Sequence, residues 1–173
     1  MKRSSEGLAY AVWPTAWGAM GAVAGGGGLV RVVLPHYSPS DLRDLLAFEH
    51  AGAADDEAAF AGLIERSRAY FNGQAVNFDD LACALPGEKT FTGKVLRACR
   101  AIPYGQTLSY SLLARAAGSP DGARAAAAAM GKNPLPLIIP CHRVIYADGR
   151  LGGFSAPGGV DQKRRMLALE GAV

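Results

Sequence analysis

The sequence lacks any apolar run that approaches the roughly 20 residues a membrane span requires. Residues 1–6 are basic, but no long apolar stretch or cleavage site of the secretory type follows them. The chain has 173 residues, of which 50% are hydrophobic, enough for one large domain or two small ones. These features exclude a membrane-spanning class and predict a globular, cytoplasmic protein that does not act on a membrane.

Cysteine is scarce, which argues against both zinc and disulfide frameworks. Cys83, Cys99 and Cys141 are far apart and form no Cys-x-x-Cys pair, and His36 and His50 lie near no cysteine in the sequence. An odd, scattered set of this kind is not typical of a metal site or of a disulfide-stabilised domain. We therefore expect no metal site.

Charge is unevenly distributed, although the formal net charge is only +3. Residues 1–90 contain 7 Lys and Arg against 11 Asp and Glu, whereas residues 91–173 contain 11 against 4. A basic half favours contact with a polyanion, the alternative being a merely soluble surface. The charge balance changes in the loop that ends at Leu85-Pro86-Gly87-Glu88. We predict one domain over residues 1–88 and a second over residues 89–173.

The first domain is predicted to contain strands and then helices. Residues 8–34 favour antiparallel strands, with the four glycines Gly25–Gly28 as a turn. This turn is not a phosphate-binding loop, because no Lys-Ser/Thr pair follows it. Ser40 is expected to cap a short helix over residues 41–49. A second helix is expected from about Asp55 to Phe71, where apolar residues recur at helical spacing.

The second domain is predicted to be mainly helical. An apolar stripe predicts a helix that Pro103 terminates, and a second helix follows from about Ser109 to Ala117. A third helix is expected to begin with Ser119 as cap and Pro120 at its first position. Two short helices joined by a tight turn are typical of a helix-turn-helix, an ordinary pair of packing helices being the alternative.

The third helix has an unusual composition. It contains five consecutive alanines, residues 125–129, and Arg124 is its only long charged side chain. Helices that read base edges in the major groove carry several polar side chains. The composition therefore favours shape-driven contact with the DNA backbone or minor groove, and a packing helix is the alternative.

Apolar residues flank a Cys-His-Arg triplet in the segment Leu137–Ile145, which predicts a buried strand. A thiol reacts as the thiolate, which needs positive charge or hydrogen-bond donors nearby, and His142 and Arg143 supply two such groups. Adjacent strand residues point to opposite faces, so a bridging water or a bend at Pro140 is needed between Cys141 and His142. An inert buried cysteine is the alternative. Downstream, Asp148-Gly149 predicts a hairpin turn, and a last helix is expected from Val160 to Leu169.

The block Pro140-Cys141-His142-Arg143-Val144 resembles the signature of the O6-alkylguanine-DNA alkyltransferases, also called methylated-DNA–protein-cysteine methyltransferases. Further motifs of that family follow in order between Phe91 and Gly171: Ile102-Pro103-Tyr104-Gly105, Ser109-Tyr110, Asn133-Pro134 and Leu169-Glu170-Gly171. The resemblance implies an α/β fold, with a small ribonuclease-H-like domain followed by a mainly helical winged helix-turn-helix domain. It also implies single-turnover repair: an alkyl group moves from guanine O6 in duplex DNA, approached from the minor groove, onto the protein's own cysteine.

The resemblance further implies residue roles. Cys141 corresponds to the nucleophile, His142 to the base that takes its proton through a water, and Glu170 to the carboxylate that orients His142. Asn133 corresponds to the residue that ties the recognition helix to the active-site turn. Arg124 would enter the base stack, beside Ala123 and Ala125 on the DNA-binding helix. Residues implied for the guanine pocket are Tyr110, Met130, Val144, Phe154 and Ser155, and Tyr110 would also press on the phosphate.

No metal or organic cofactor is implied, and the protein is expected to be a monomer. Three residues depart from the family's pattern on the recognition helix, namely Ala127, Ala128 and Gly131. Three alternatives remain open at this point: a non-catalytic alkylguanine-binding relative, a winged-helix regulator that senses through Cys141, and a cysteine hydrolase.

Overall fold

A computed structural model describes residues 7–173, which form two compact units, one ending at Ala84 and one beginning at Leu85. The first unit contains a four-stranded sheet in the order β3-β2-β1-β4. Its strands are β1 (Ala9–Thr15), β2 (Gly18–Gly25), β3 (Gly28–Val33) and β4 (Ala54–Asp55). β1, β2 and β3 are antiparallel neighbours, which confirms that prediction, and the glycine turn joins β2 to β3. β4 is short and runs parallel to β1.

Two helices complete the first unit, and both begin differently from the prediction. Helix α1 spans Pro39–Glu49, and its cap is Ser38 rather than Ser40, because Pro39 fixes the first helical position. The Ser38 hydroxyl accepts from the backbone N–H of residue 41 at 3.2 Å. Helix α2 spans only Ala61–Phe71. Residues 54–60 leave the expected helix because they form β4 and a 3₁₀ turn.

The core of the first unit lies on both sides of β1. Val12 packs with Leu42 and Leu46 of α1. The next residue, Trp13, stacks on Phe60 with ring centres 6.3 Å apart and donates from Nε1 to the Ser67 hydroxyl of α2 at 2.9 Å. Because successive strand residues face opposite sides, this pattern explains why β1 is buried on both faces.

The second unit is a cluster of helices with two very short strands. Its elements are α3 (Phe91–Arg100), β5 (Leu108–Ser109), α4 (Tyr110–Ala116), α5 (Ala123–Met130), β6 (Val144–Ile145) and α6 (Gly159–Leu169). Helices α3, α4 and α5 pack on one another, and β5 pairs in parallel with β6. The predicted α3, α4 and α6 are confirmed. None of the helices within residues 7–173 has the length and apolar character needed to cross a membrane.

Two predictions for the second unit are wrong in detail. Helix α5 does not begin at Ser119-Pro120, because the Ser119 carbonyl instead accepts from the Gly122 N–H in a turn at 2.9 Å. Cys141 does not lie on a strand: residues Cys141–Arg143 form one 3₁₀ turn, and only the two residues of β6 are extended. The turn predicted at Asp148-Gly149 does form. However, β6 pairs with β5 rather than with the glycine-rich segment that follows the turn.

Candidate active site

Cys141 follows a tightly folded loop that Asn133 holds at two points. The Oδ1 of Asn133 accepts from the Leu135 N–H at 3.0 Å, and its Nδ2 donates to the Ile139 carbonyl at 2.8 Å. The same Ile139 carbonyl accepts from the Cys141 N–H at 2.7 Å. Leu137, inside this loop, has a φ of 76°, a conformation that costs a bulky residue about 1–3 kcal/mol. Asn133 therefore stabilises a strained backbone that fixes the position of Cys141.

A buried ionic cluster lies directly after Cys141 in the chain. Nε2 of His142 lies 2.6 Å from Oε1 of Glu170, and both side chains are fully buried. Arg143 donates to both oxygens of Glu170, at 2.9 and 3.1 Å, and to the Ile102 carbonyl at 2.6 Å. The Gly105 N–H also donates to Glu170, at 3.1 Å. A carboxylate only accepts hydrogen bonds, so the proton of a neutral His142 lies on Nε2.

Lys163 of α6 is a buried cation near the same turn. Its Nζ donates to the Val144 carbonyl at 2.6 Å and to the Gly153 carbonyl at 3.4 Å. It also lies 5.8 Å from the centre of the Tyr110 ring. Burial lowers the pKa of Lys163 to about 8. Lysine is rarely buried so completely, which makes this residue a candidate for a role at the site.

A cavity of about 380 Å³ opens beside Cys141, within the roughly 300–1,000 Å³ typical of small-ligand sites. The cavity is lined by the start of α4, the end of α5, Cys141 and the segment after β6. The lining residues are Tyr110, Ala127, Met130, Gly131, Cys141, Tyr146, Gly153, Phe154 and Ser155. Four of the five residues predicted for the guanine pocket are therefore together. The fifth, Val144, is fully buried, and its carbonyl accepts from Lys163.

Burial is the main cause of the pKa shifts of Cys141 and His142. Burial raises the pKa of the Cys141 thiol, while a hydrogen bond from the Asn133 side chain and the charge of Lys163 act in the opposite direction. The order of residues in the chain had instead indicated the side chains of His142 and Arg143. Burial also lowers the pKa of His142, although the contact with Glu170 raises it in part. Both shifts favour the uncharged forms, a thiol and a neutral imidazole, and a neutral imidazole can accept a proton.

Most of this chain is similar to known proteins. The family model described as the DNA-binding domain of 6-O-methylguanine DNA methyltransferase matches residues 90–172. The methylated-DNA–protein-cysteine methyltransferase of Mycolicibacterium paratuberculosis is 41% identical over 141 residues, which cover 82% of this chain and 78% of that protein. The chain belongs to the family of methylated-DNA–protein-cysteine methyltransferases. A further member, from Mycobacterium bovis, is 44% identical over 115 residues, covering 66% of this chain and 67% of that protein.

Solved structures of this methyltransferase family have the same mixed α/β fold. The O6-methylguanine methyltransferase of Mycobacterium tuberculosis is 34% identical, with a TM-score of 0.75 over 95% of this chain and 93% of that chain. A structure of the M. tuberculosis protein OGT in complex with DNA gives a TM-score of 0.76 at 34% identity, over 94% of this chain and 92% of that chain.

Three of the four residues predicted to contact DNA, Arg124, Ala123 and Ala125, lie on α5, and the fourth, Tyr110, is the first residue of α4. Arg124 and Ala125 are exposed, and Ala123 is half-buried. Arg124, Ala127 and Gly131 are three and four residues apart and therefore lie on one side of the helix and its end. Two of these three line the cavity, so Arg124 belongs to the side of α5 that adjoins it.

Two residues near Cys141, Lys163 and Tyr146, were not predicted from the sequence. Lys163 stands in the run Lys163-Arg164-Arg165, which indicates an exposed basic surface. A signal was nevertheless present, because Lys163 shares a helical face with the buried Met166 and Leu167. Tyr146 directly precedes a turn, and nothing in its surroundings in the sequence indicates the cavity that it lines.

Proposed function

We propose that this chain repairs O6-alkylguanine in DNA by moving the alkyl group, once per molecule, onto Cys141. One observation carries the proposal: a buried cysteine on the wall of a ligand-sized cavity is followed by a histidine that a carboxylate holds at 2.6 Å. Nucleophile, base and orienting carboxylate are the combination that activates a weak nucleophile. Membership of the methyltransferase family supports the same reaction.

The proposed transfer balances without a co-reactant. A lone pair of the Cys141 sulfur forms a bond to the alkyl carbon while the bond from that carbon to O6 breaks, and its electron pair stays on guanine. The thiol proton passes through a water to His142, whose positive charge Glu170 then stabilises. Guanine, held by hydrogen bonds from the Tyr110 hydroxyl and the Ser155 N–H, takes up one proton from water as it leaves. His142 returns the thiol proton to water, so the net change moves one proton from sulfur to guanine. A thioether does not hydrolyse under these conditions, so each molecule reacts once.

The proposal requires the damaged base to leave the duplex. A base atom inside a stacked helix is out of reach of a buried sulfur, so the nucleotide must rotate into the cavity. Arg124, exposed on the cavity side of α5, is suited to fill the gap that the base leaves. The small neighbours Ala123 and Ala125 allow α5 to approach the minor groove closely. Tyr110, at the start of α4, would press on the phosphate.

The proposed roles divide between residues 88 and 89, four residues after the boundary between the two compact units at Ala84 and Leu85. Residues 89–173 would bind DNA and carry out the transfer, as a helix-turn-helix of α4 and α5 with a wing after β6. Residues 1–88 would form a ribonuclease-H-like α/β domain, of which residues 1–6 lie outside the described part. The excess of 11 basic over 4 acidic residues in the second half supports binding through phosphates. We further propose that the protein acts as a monomer.

An intact-mass experiment tests the proposal. The protein is incubated with a duplex oligonucleotide containing O6-methylguanine, and peptide mapping locates any modification. The expected result is one methyl group per molecule, on Cys141, and none in Cys141→Ala, which should still bind the duplex. Cys83→Ala is the matched control, because it removes a thiol from the other unit and should still be methylated. No mass gain at all would indicate a binding protein or a regulator, and loss of substrate methyl without a mass gain would indicate a hydrolase.

A further inference from the structure

Tyr146 is a large side chain at the cavity that the proposed transfer does not use. It lines the same cavity as the Cys141 sulfur. Its ring centre lies 5.3 Å from that of Tyr110, with an angle of 58° between the ring planes. Tyr110 is buried, whereas 44% of the surface of Tyr146 is exposed. Tyr146 is therefore the outer member of an aromatic pair at the cavity.

Backbone pairing fixes where this ring stands. Ser109 of β5 pairs with Ile145 of β6, and the residues that directly follow these two are Tyr110 and Tyr146. The N–H of Tyr146 donates to the Arg150 carbonyl at 2.8 Å. The backbone is thus held by the strand pair on one side and by the turn on the other, so the ring starts from a defined position.

Side-chain contacts restrict the ring further. The guanidinium carbon of Arg150 lies 5.1 Å from the centre of the Tyr146 ring, within the range of cation–π attraction. Arg150 is itself held by Asp148, to which its Nε donates at 2.7 Å. A methyl group built on Gly152 would lie 3.3 Å from the ring of Tyr146 and 2.9 Å from the Tyr110 hydroxyl, so both rings pack closely on that glycine. Movement of the Tyr146 ring would break these contacts.

We propose that Tyr146 is a specificity-determining residue that limits the size of the O6 substituent the protein accepts. The inference rests on the proposed function, because a substituent must enter this cavity to reach the sulfur. A methyl group fits beside the ring. A benzyl group must displace the ring from Tyr110 and Arg150 before it reaches Cys141, and so it reacts more slowly.

Rates of transfer from two matched duplexes test the inference. One duplex carries O6-methylguanine and the other O6-benzylguanine at the same position, and intact mass follows the gain of one methyl or one benzyl group. Tyr146→Ala should raise the ratio of benzyl to methyl rate constants by about tenfold, the scale of steric discrimination in pockets. Tyr146→Phe keeps the ring and should leave the ratio within about twofold of the unmodified protein. An unchanged ratio in Tyr146→Ala would overturn the inference.

The controls separate this inference from the proposed function. If the unmodified protein gains no methyl group on Cys141, the proposed function fails. If it does gain one and the ratio stays constant in all variants, only the role of Tyr146 fails. Arg150→Ala frees the ring while keeping the backbone bond to Tyr146, so it should raise the ratio by a smaller factor. If Tyr146→Ala does not fold, Arg150→Ala decides, because a constant ratio there also overturns the inference.

Discussion

Glu170 Oε1 lies 2.6 Å from Nε2 of His142, and the same carboxylate forms an ion pair with Arg143. One buried anion thus serves two neighbours with different tasks. Its contact with His142 orients an imidazole, whereas its contact with Arg143 neutralises a buried cation. The two tasks are separable by mutation, because only the first belongs to the proposed transfer.

Glu170→Gln should impair both transfer and stability. The amide leaves Arg143 without an anion, and breaking a buried pair in this way costs about 3–5 kcal/mol. The imidazole also loses its charged partner, so the transfer rate should fall by roughly 10²-fold or more. Denaturant unfolding and single-turnover kinetics measure the two effects.

The double variant Glu170→Gln with Arg143→Met separates the two causes. Removing the uncompensated cation should restore much of the free energy of unfolding, but it should not restore the transfer rate. Recovery of the rate together with stability would mean that Glu170 acts only through folding.

The pH dependence of transfer should distinguish a relay from simple thiol ionisation. Burial lowers the pKa of His142 below its ordinary value near 6.5, so the imidazole is neutral and able to accept a proton at pH 7. The rate constant should be level near pH 7 and should fall only as the pH drops below 6.5. Because the pKa of Cys141 is raised, direct ionisation would instead give a rate that climbs roughly tenfold per pH unit above 7.

His142→Gln is the control for that profile. Without the base, transfer should be slow and should rise with pH, as expected for ionisation of a lone thiol. Stability provides a second readout: the folded state with a lowered His142 pKa binds fewer protons than the unfolded chain, so unfolding should become easier as the pH falls below 6.5. A profile of the unmodified protein that matches the variant would argue against the relay.

Lys163→Met should weaken the nucleophile. The ammonium of Lys163 lowers the pKa of Cys141, so its removal should raise that pKa further and slow transfer by about tenfold. Arg164→Met is the matched control, since it removes one positive charge from the exposed side of the same helix. Titration of the thiolate by ultraviolet absorbance, together with the transfer rate, measures the effect. Equal slowing in both variants would assign the effect to DNA binding rather than to the thiol.

The lowered pKa of Lys163 predicts that the stability of the protein depends on pH. Its pKa is lowered to about 8 in the folded protein from an ordinary value near 10.5, so the unfolded chain binds more protons between these two values. The free energy of unfolding should therefore contain a term that increases with pH from about 8 to 10.5. That term should be absent in Lys163→Met.

Local signals in the sequence predicted much of this fold. Helix α4 begins at Tyr110, one residue after the predicted start, and α3 ends before Pro103 as predicted. The pairing of β4 with β1 was missed, since it joins Ala9 to Ala54 across a long stretch of chain and leaves no local periodicity. Such contacts are decided by packing rather than by neighbouring residues.

The backbone conformation of the segment before Cys141 was not predictable from the sequence. A short apolar run does not distinguish a strand from an irregular buried loop. Here the side chain of Asn133 binds the backbone at Leu135 and Ile139, which takes those groups away from a sheet. The adjacent Cys141 and His142 were visible in the sequence as a candidate pair, whereas the structure around them depends on these tertiary contacts.

Arg124→Ala should slow repair in duplex DNA by about tenfold or more, while attack on a free O6-benzylguanine base should be nearly unchanged. The reason is that only the duplex reaction requires a gap in the stack to be filled. Arg115→Ala is the control, because it removes an exposed arginine from α4. If Arg124 contacts only a phosphate, the slope of binding against salt should fall by about 0.9 and the flipping step should be unaffected. Equal slowing of both reactions would contradict the role in base rotation.

Gly152→Ala tests how tightly the aromatic pair is held. Gly152 has a φ of 74°, where a side chain costs about 1–2 kcal/mol, and its new methyl group would lie 2.9 Å from the Tyr110 hydroxyl. The free energy of unfolding should fall by at least this cost of about 1–2 kcal/mol. Transfer should also be slower than in the unmodified protein, because the new methyl group displaces Tyr110. Gly153→Ala is a close control, since no atom lies within 4 Å of its new methyl group and its φ lies outside the left-handed region. Its stability should therefore match the unmodified protein. Equal stability and equal transfer rates in the two variants would show that the backbone beneath Tyr110 adapts freely.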